Sequence, residues 1–224
     1  MRIAIVGYGK MGREIEAVAR EQGETIAQVF DIGNEMTAAA LMDVDVCIDF
    51  SMPSAVLANI GVAAAAAKDI VVGTTGWLEH LPEVRQLVQS SGLLYSANFS
   101  LGMNIFLRIV TRAAELMNKA GEYDPFIHEA HHNQKLDSPS GTALRLADII
   151  VEKVERKTKA NLNVAATRAG VINGIHTVGF DSEADLIELR HTAKSRRGFA
   201  LGALAAARWL HGRKGIYTMD DVEF

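Results

Sequence analysis

The sequence is poor in the residues that staple, stiffen or anchor a chain. Cys47 is the only cysteine among 224 residues, which excludes an intramolecular disulfide and any zinc site built from cysteines. Its apolar neighbours Val46 and Ile48 mark it as a core thiol. Four prolines and 19 glycines are too few for a collagen-like or linker-dominated chain. Excess positive charge is missing too: the formal net charge is -4, which argues against a nucleic-acid partner, because dedicated binders are usually strongly basic. The blandest stretch, GVAAAAA at 61–67, is far shorter than the ~20 apolar residues that cross a bilayer. The opening MRIAIVGYGK carries no apolar signal core, so the expectation is a cytoplasmic protein with no membrane partner. What remains is an ordinary globular composition, 49% apolar and 22% charged, of a length that makes one large domain or two small ones.

The first hundred residues alternate strand and helix patterns. Short apolar runs at 2–6, 25–30, 45–50, 69–72 and 93–96 each end in a polar or glycine-rich turn. Helical spacing follows the first run at Ile15, Val18 and Ala19, and a helix is expected over 59–67 after the start cluster Ser51-Met52-Pro53-Ser54. Strands that alternate with helices predict a parallel sheet with right-handed crossovers. Near residue 100 the pattern changes. An amphipathic helix is expected over 105–118, a strand over 125–131 and a long helix over 141–157. Strands at 163–168, 174–180 and 185–191 follow without helices between them and read as antiparallel. An alanine-rich helix over 198–210 returns to the first domain. The expected class is therefore α/β: a Rossmann-type parallel-sheet domain, residues 1–100 and 199–224, plus a smaller α+β domain, residues 101–198, with a mostly antiparallel sheet for substrate binding and oligomerisation.

Gly7-Tyr8-Gly9-Lys10-Met11-Gly12 fits G-x-G-x-x-G between a strand and a helix, the context that the motif requires. Its glycines allow the tight turn, the approach of a pyrophosphate to the backbone, and close helix–strand packing. Asp31 follows roughly 20 residues later, where a carboxylate holds the ribose hydroxyls of a dinucleotide. No arginine adjoins Asp31 to receive a 2′-phosphate, so NADH is favoured over NADPH, although Lys10 and Arg13 keep the phosphate in reach. Gly73-Thr74-Thr75-Gly76 and Ala97-Asn98-Phe99-Ser100 stand at the ends of the fourth and fifth strands, where open α/β sheets bind ligands; plain turn chemistry would use the same residues.

The second constellation runs from His128 to Thr142. His128-Glu129-Ala130-His131-His132 matches the zinc protease pattern H-E-x-x-H. That pattern needs a helix, and here a strand-like approach precedes it. On a strand, His128 and His132 would lie about 13 Å apart, too far to share an ion. No metal is expected. The acid–base alternative combines His131, His132 and Lys135 with a helix that starts at Ser140-Gly141-Thr142, whose N–H groups and Thr142 hydroxyl suit a carboxylate. The bland alternative is a helix cap beside surface histidines. Together the two constellations suit hydride delivery to an electrophilic carbon, with a proton supplied by histidine or lysine. The residues alone thus indicate an NAD-dependent reductase of a small acidic molecule. Another two-domain dehydrogenase of a small amino or dicarboxylic acid, or an NADH-sensing regulator, would share the first half.

The segment Glu129-Ala130-His131-His132-Asn133-Gln134-Lys135-Leu136-Asp137-Ser138-Pro139-Ser140-Gly141-Thr142-Ala143 resembles the signature of the 4-hydroxy-tetrahydrodipicolinate reductase family, E-x-H-H-x-x-K-x-D-x-P-S-G-T-A. Further similar landmarks are Asp49-Phe50-Ser51-Met52-Pro53, Arg168-Ala169-Gly170, Gly174-Ile175-His176, Ser195-Arg196 and Gly215-Ile216-Tyr217-Thr218-Met219. The resemblance implies a proton donor at His131, a catalytic lysine at Lys135, and substrate-binding roles for His132, Ser140, Gly141 and Thr142. It implies nucleotide binding by Gly7, Tyr8, Gly9, Lys10, Met11, Gly12, Asp31, Gly73, Thr74, Thr75, Ala97, Asn98, Phe99 and Ser100. It further implies use of NADH or NADPH, a dicarboxylate substrate in lysine and diaminopimelate biosynthesis, and a homotetramer. Two departures, a glycine turn one residue shorter than the family's and a short 32–44 connection, lie near the adenosine end of the nucleotide.

Overall fold

The computed structural model describes residues 1–223. In chain order its elements are β1 (Arg2–Val6), α1 (Lys10–Glu21), β2 (Thr25–Phe30), β3 (Val46–Asp49), α2 (Pro53–Ala65), β4 (Asp69–Val72), α3 (Leu81–Leu87), β5 (Gly92–Tyr95), α4 (Leu101–Asn118), β6 (Asp124–His131), α5 (Gly141–Lys153), β7 (Asn163–Arg168), β8 (Ile175–Asp181), β9 (Leu186–Thr192), α6 (Arg197–Leu210) and β10 (Gly215–Thr218). They form two units, residues 1–104 with 196–224, and residues 105–195.

The first unit holds a six-stranded sheet in the order β2-β1-β3-β4-β5-β10, parallel at every pairing. Its strands alternate sides. Ile3, Ile5, Val46 and Ile48 pack with Ile15 and Val18 of α1 and with Ala203, Leu204 and Ala207 of α6. Ala4, Val6 and Cys47 face the other way, onto Val56, Ile60 and Ala63 of α2 and Val84 of α3. Burial on both faces is why these strands read as continuous apolar runs. It also pushes the Cys47 thiol up to about 12, so the lone cysteine is an inert core residue. The order of strands reverses between β1 and β3, and a doubly wound sheet opens its ligand crevice at that point. The sequence pattern showed neither α3 nor β10: α3 is a short helix of seven residues, and β10 is a strand of only four that opens on a glycine.

The second unit holds a four-stranded sheet in the order β7-β6-β8-β9. β8 is antiparallel to both β6 and β9. β7, expected to be antiparallel as well, pairs parallel with β6. The reason is α5, which carries the chain back between β6 and β7 as a crossover does. The sheet is therefore mixed. One of its faces is apolar at one end, with Ile127, Val178 and Phe180 fully buried. At the other end the same face turns polar, where Glu129 and His131 of β6 meet His176 of β8. Among the described residues, no helix is long and apolar enough to cross a membrane.

Candidate active site

In the first unit the site is built on close approach. The turn after β1 needs Gly7, which has φ 87°, a conformation that residues with a Cβ rarely adopt. A Cβ at Gly7 would stand 2.5 Å from the Phe50 carbonyl oxygen, and one at Gly12 would stand 2.2 Å from the Gly7 carbonyl oxygen. Gly9 has nothing within 4 Å of its Cβ position, so the turn is open on that side. Gly9 is also the N-cap of α1 and offers no side chain to the helix's first N–H groups. An open glycine face at an uncapped helix start suits a pyrophosphate, so these residues fit a dinucleotide. Asp31 is exposed immediately after β2, and its backbone bridges to Asn34. Arg13 lies over the Tyr8 ring, 5.5 Å from its centre, and the Tyr8 hydroxyl donates to Glu16.

The neighbouring loops are held by Asp49, whose role nothing in its sequence position indicates. Its carboxylate is fully buried at the end of β3. It accepts hydrogen bonds from the Ser51 N–H and hydroxyl (2.9 and 2.7 Å), the Asn59 amide (2.8 Å) and the Thr74 hydroxyl (3.0 Å). One side chain thus ties the 50–54 turn to the Gly73-Thr74-Thr75 loop. A Cβ at Gly73 would stand 2.2 Å from the Phe50 ring, which fills the space between those loops. The 96–100 loop is fixed by its own polar groups: Ser96 Oγ accepts from the Asn98 N–H (3.1 Å), and Asn98 Oδ1 accepts from the Ser100 N–H (2.9 Å). Phe99 is buried in the core, and α6 presses on this loop through Gly202.

In the second unit, the period of two along β6 sorts the H-E-x-x-H residues onto opposite faces. His128 points to one side, where its Nε2 lies 3.0 Å from Thr167 Oγ1. Glu129 and His131 point to the other, and His132 follows the strand's end. The zinc protease arrangement is thereby excluded. A different trio does converge: ligand atoms of Glu129, His131 and His176 all lie within 4.8 Å of one another. Arg168 meets this trio through its Nη2, 2.8 Å from Glu129 Oε1. A guanidinium already neutralising the only carboxylate makes the trio a poor cation site.

The polar end of the sheet is closely knit. Glu129 is fully buried and accepts from Arg168 and from the Ser140 N–H at 3.0 Å, while its second oxygen contacts His131 Nδ1. Burial would raise the Glu129 carboxyl, but Arg168, the Ser140 N–H and His131 outweigh it and hold the group below its ordinary range. Burial lowers His131 against the pull of Glu129, with Lys135 and Arg168 adding to the decrease. Burial, with the neighbouring His131, pushes His176 down to about 4. Its Nε2 lies 3.3 Å from Ser140 Oγ, and its ring stands edge-on to His131 at 5.1 Å.

Ser140 caps α5, its hydroxyl accepting from the Ala143 N–H at 3.2 Å. The α5 N-terminus is not a bare donor set, however. Asp137 accepts from the Gly141 N–H at 3.3 Å and pairs with Lys135 Nζ at 2.8 Å. Lys135 holds the Asp137 carboxyl below its usual range. A side-chain carboxylate therefore rests at the spot expected to receive a ligand carboxylate. His131, His132, Lys135, Ser140, Gly141 and Thr142 lie on the end of β6, the loop after it and the first turn of α5. Sequence reasoning missed Arg168 and His176 as members of this corner. Both stand in quoted landmarks, but only strand register shows that they face Glu129.

Comparison with known proteins accounts for the whole chain. The family model for the N-terminus of dihydrodipicolinate reductase matches residues 1–99, and the model for its C-terminus matches residues 102–222. A 4-hydroxy-tetrahydrodipicolinate reductase of Christiangramia forsetii is 41% identical, covering 99% of this chain and 97% of its own length. One from Archaeoglobus fulgidus is 38% identical and covers 99% of both. The solved structure of a dipicolinate-bound dihydrodipicolinate reductase from Paenisporosarcina sp. TG-14 superposes with a TM-score of 0.78 at 23% identity, over 100% of this chain and 99% of that one. That likeness bears on the fold.

Proposed function

The chain belongs to the dihydrodipicolinate reductase family, and from that premise we propose that it reduces the dihydropyridine dicarboxylate derived from 4-hydroxy-tetrahydrodipicolinate to tetrahydrodipicolinate, a step of lysine and diaminopimelate biosynthesis. The observation that carries this reading is the match of both family models, end to end, to a chain whose His131–Lys135 corner is intact. Each turnover adds one hydride and one proton to the substrate. A bound nicotinamide supplies the hydride. The residues of the first unit bind that nucleotide: Gly7 to Gly12 receive the pyrophosphate, Asp31 the ribose, and the Gly73–Thr75 and Ala97–Ser100 loops complete the cradle. In the second unit, Lys135, His132, Ser140, Gly141 and Thr142 receive the two carboxylates, and His131 or Lys135 delivers the proton.

NADH is the preferred reductant in this reading. An exposed Asp31 carboxylate at the end of β2 repels a 2′-phosphate, and the Arg13 guanidinium is engaged over Tyr8. The protein works in the cytoplasm as a homotetramer, as the family resemblance implies. The experiment is a coupled assay in which a synthase generates the substrate in place and oxidation of NADH and of NADPH is followed separately. Turnover with NADH at the higher kcat/KM supports the reading. No oxidation of either nucleotide would overturn it, and a clear NADPH preference would reverse the cofactor assignment. Light scattering of the purified protein checks the tetramer.

A further inference from the structure

Glu129 is the most buried ionised group in the second unit, and the chemistry above gives it nothing to do. It lies two residues before His131 on β6, so both side chains leave the same face of the strand. Arg168 is the strand partner of His131 on β7, and His176 is the partner of Glu129 on β8. Two of the carboxylate's neighbours are fixed donors, the Arg168 guanidinium at 2.8 Å and the Ser140 N–H at 3.0 Å. Both use Oε1. The other oxygen, Oε2, lies against His131 Nδ1, and neither of these two buried atoms has any other partner among the described residues. On its far side, His131 Nε2 borders Gly174, where a Cβ would stand only 3.1 Å away. Gly174 also has φ 143°, so the backbone there is one that glycine favours and that keeps the space beside Nε2 clear.

We propose that Glu129 is a positioning residue: clamped by Arg168 and Ser140, it holds the proton of neutral His131 on Nδ1 and thereby presents Nε2 as the nitrogen that exchanges protons in the reaction. The inference rests on the reductase reading for what the imidazole does, and on the β6–β7–β8 geometry for how it is held. A carboxylate accepting from Nδ1–H fixes both ring orientation and tautomer. It also stabilises the imidazolium whenever Nε2 takes up a proton. The charged and titratable groups around His131 are Glu129 on its own strand, Arg168 on β7, His176 on β8, and Lys135 in the following loop. Glu129 alone raises the His131 pKa against burial and the two cations. Removing its charge must therefore move His131 further down.

Nitrogen-15 NMR of the histidine rings tests the placement directly on the wild-type protein, with His131→Gln used for assignment. Nδ1–H as the neutral form of His131 supports the proposal. Nε2–H overturns it, whether or not the protein turns substrate over. Absence of turnover in the wild-type protein counts against the reductase reading alone. Kinetics supply the second arm through Glu129→Gln, which keeps the volume and an acceptor for Arg168. It should lower kcat about 10- to 100-fold, within the range for a positioned proton donor, and leave the KM for NADH unchanged. If protonated His131 is the donor, the limb of kcat that falls with rising pH should shift to lower pH. In a His131→Ala background the same substitution should change kcat less than twofold. A full additive loss in that background would overturn the proposal and leave Glu129 a structural residue.

Discussion

At the scale of single residues, the two halves of the chain make separable predictions. Lys135 stands beside His131 and carries its charge next to the first turn of α5. If it stabilises charge as the substrate is reduced, its effect belongs to the transition state. Lys135→Ala should then cut kcat roughly 10²- to 10⁴-fold, with NADH affinity measured by fluorescence titration hardly changed. A rise in substrate KM at normal kcat would make it an anion anchor instead. If Asp31 holds the adenosine ribose, as proposed, it stands away from the reacting carbon. Asp31→Ala should raise the KM for NADH with a smaller effect on kcat, because it removes binding energy common to ground and transition states. Steady-state kinetics at saturating second substrate separates the two effects.

At the scale of elements, helix termini and close contacts dominate. Asp137 occupies the first turn of α5, accepting from the Gly141 N–H and pairing with Lys135. A substrate carboxylate bound there, as proposed, would have to displace it. Asp137→Asn removes the competing charge, so pyridine-2,6-dicarboxylate should inhibit several-fold more tightly, read as Ki in the NADH assay; weaker inhibition would mean that Asp137 orders Lys135 for binding. In the first unit, α6 touches the 96–100 loop where Gly202 has no side chain. A Cβ there would stand 1.7 Å from the Phe99 carbonyl oxygen. Gly202→Ala gains helix propensity yet must push the helix off the loop. Overpacking of this kind costs about 1–3 kcal/mol, so thermal unfolding should begin several degrees earlier, and NADH binding should weaken with it.

For the whole molecule, the buried histidines contribute to the response to acid, beside carboxylates such as Glu24 and Glu129 that are held below their ordinary range. His176 is 4% exposed and is pushed down to about 4 by burial first and His131 second. Between that value and the 6.5 of a free histidine, the unfolded chain binds a proton that the folded one does not. Stability therefore rises with pH across that window and is lost as pH falls from 6.5 towards 4. A shift of this size corresponds to on the order of 3 kcal/mol from His176, and His191, also lowered by burial, adds in the same direction. Urea unfolding at pH 7.5 and pH 5 should show the loss, and His176→Gln should reduce the difference between the two. An unchanged difference would place the acid sensitivity elsewhere, for instance at Glu129.

The alternation of apolar runs and glycine turns, and so the parallel sheet, is legible in the chain alone, because strands buried on both faces must be continuously apolar. So are the glycine turn before α1 and the histidine–lysine segment, since both are contiguous in the chain. Tertiary structure decided the rest. The direction of β7 depends on α5 returning the chain, which strand composition does not record. The pairing of Glu129 with Arg168 and His176 joins residues 39 and 47 positions away along the chain. Asp49 likewise reads as one more strand-end carboxylate until Ser51, Asn59 and Thr74 are seen to donate to it. A buried carboxylate is tolerable only when donors satisfy it, and which donors arrive is settled by how strands, helices and loops come together.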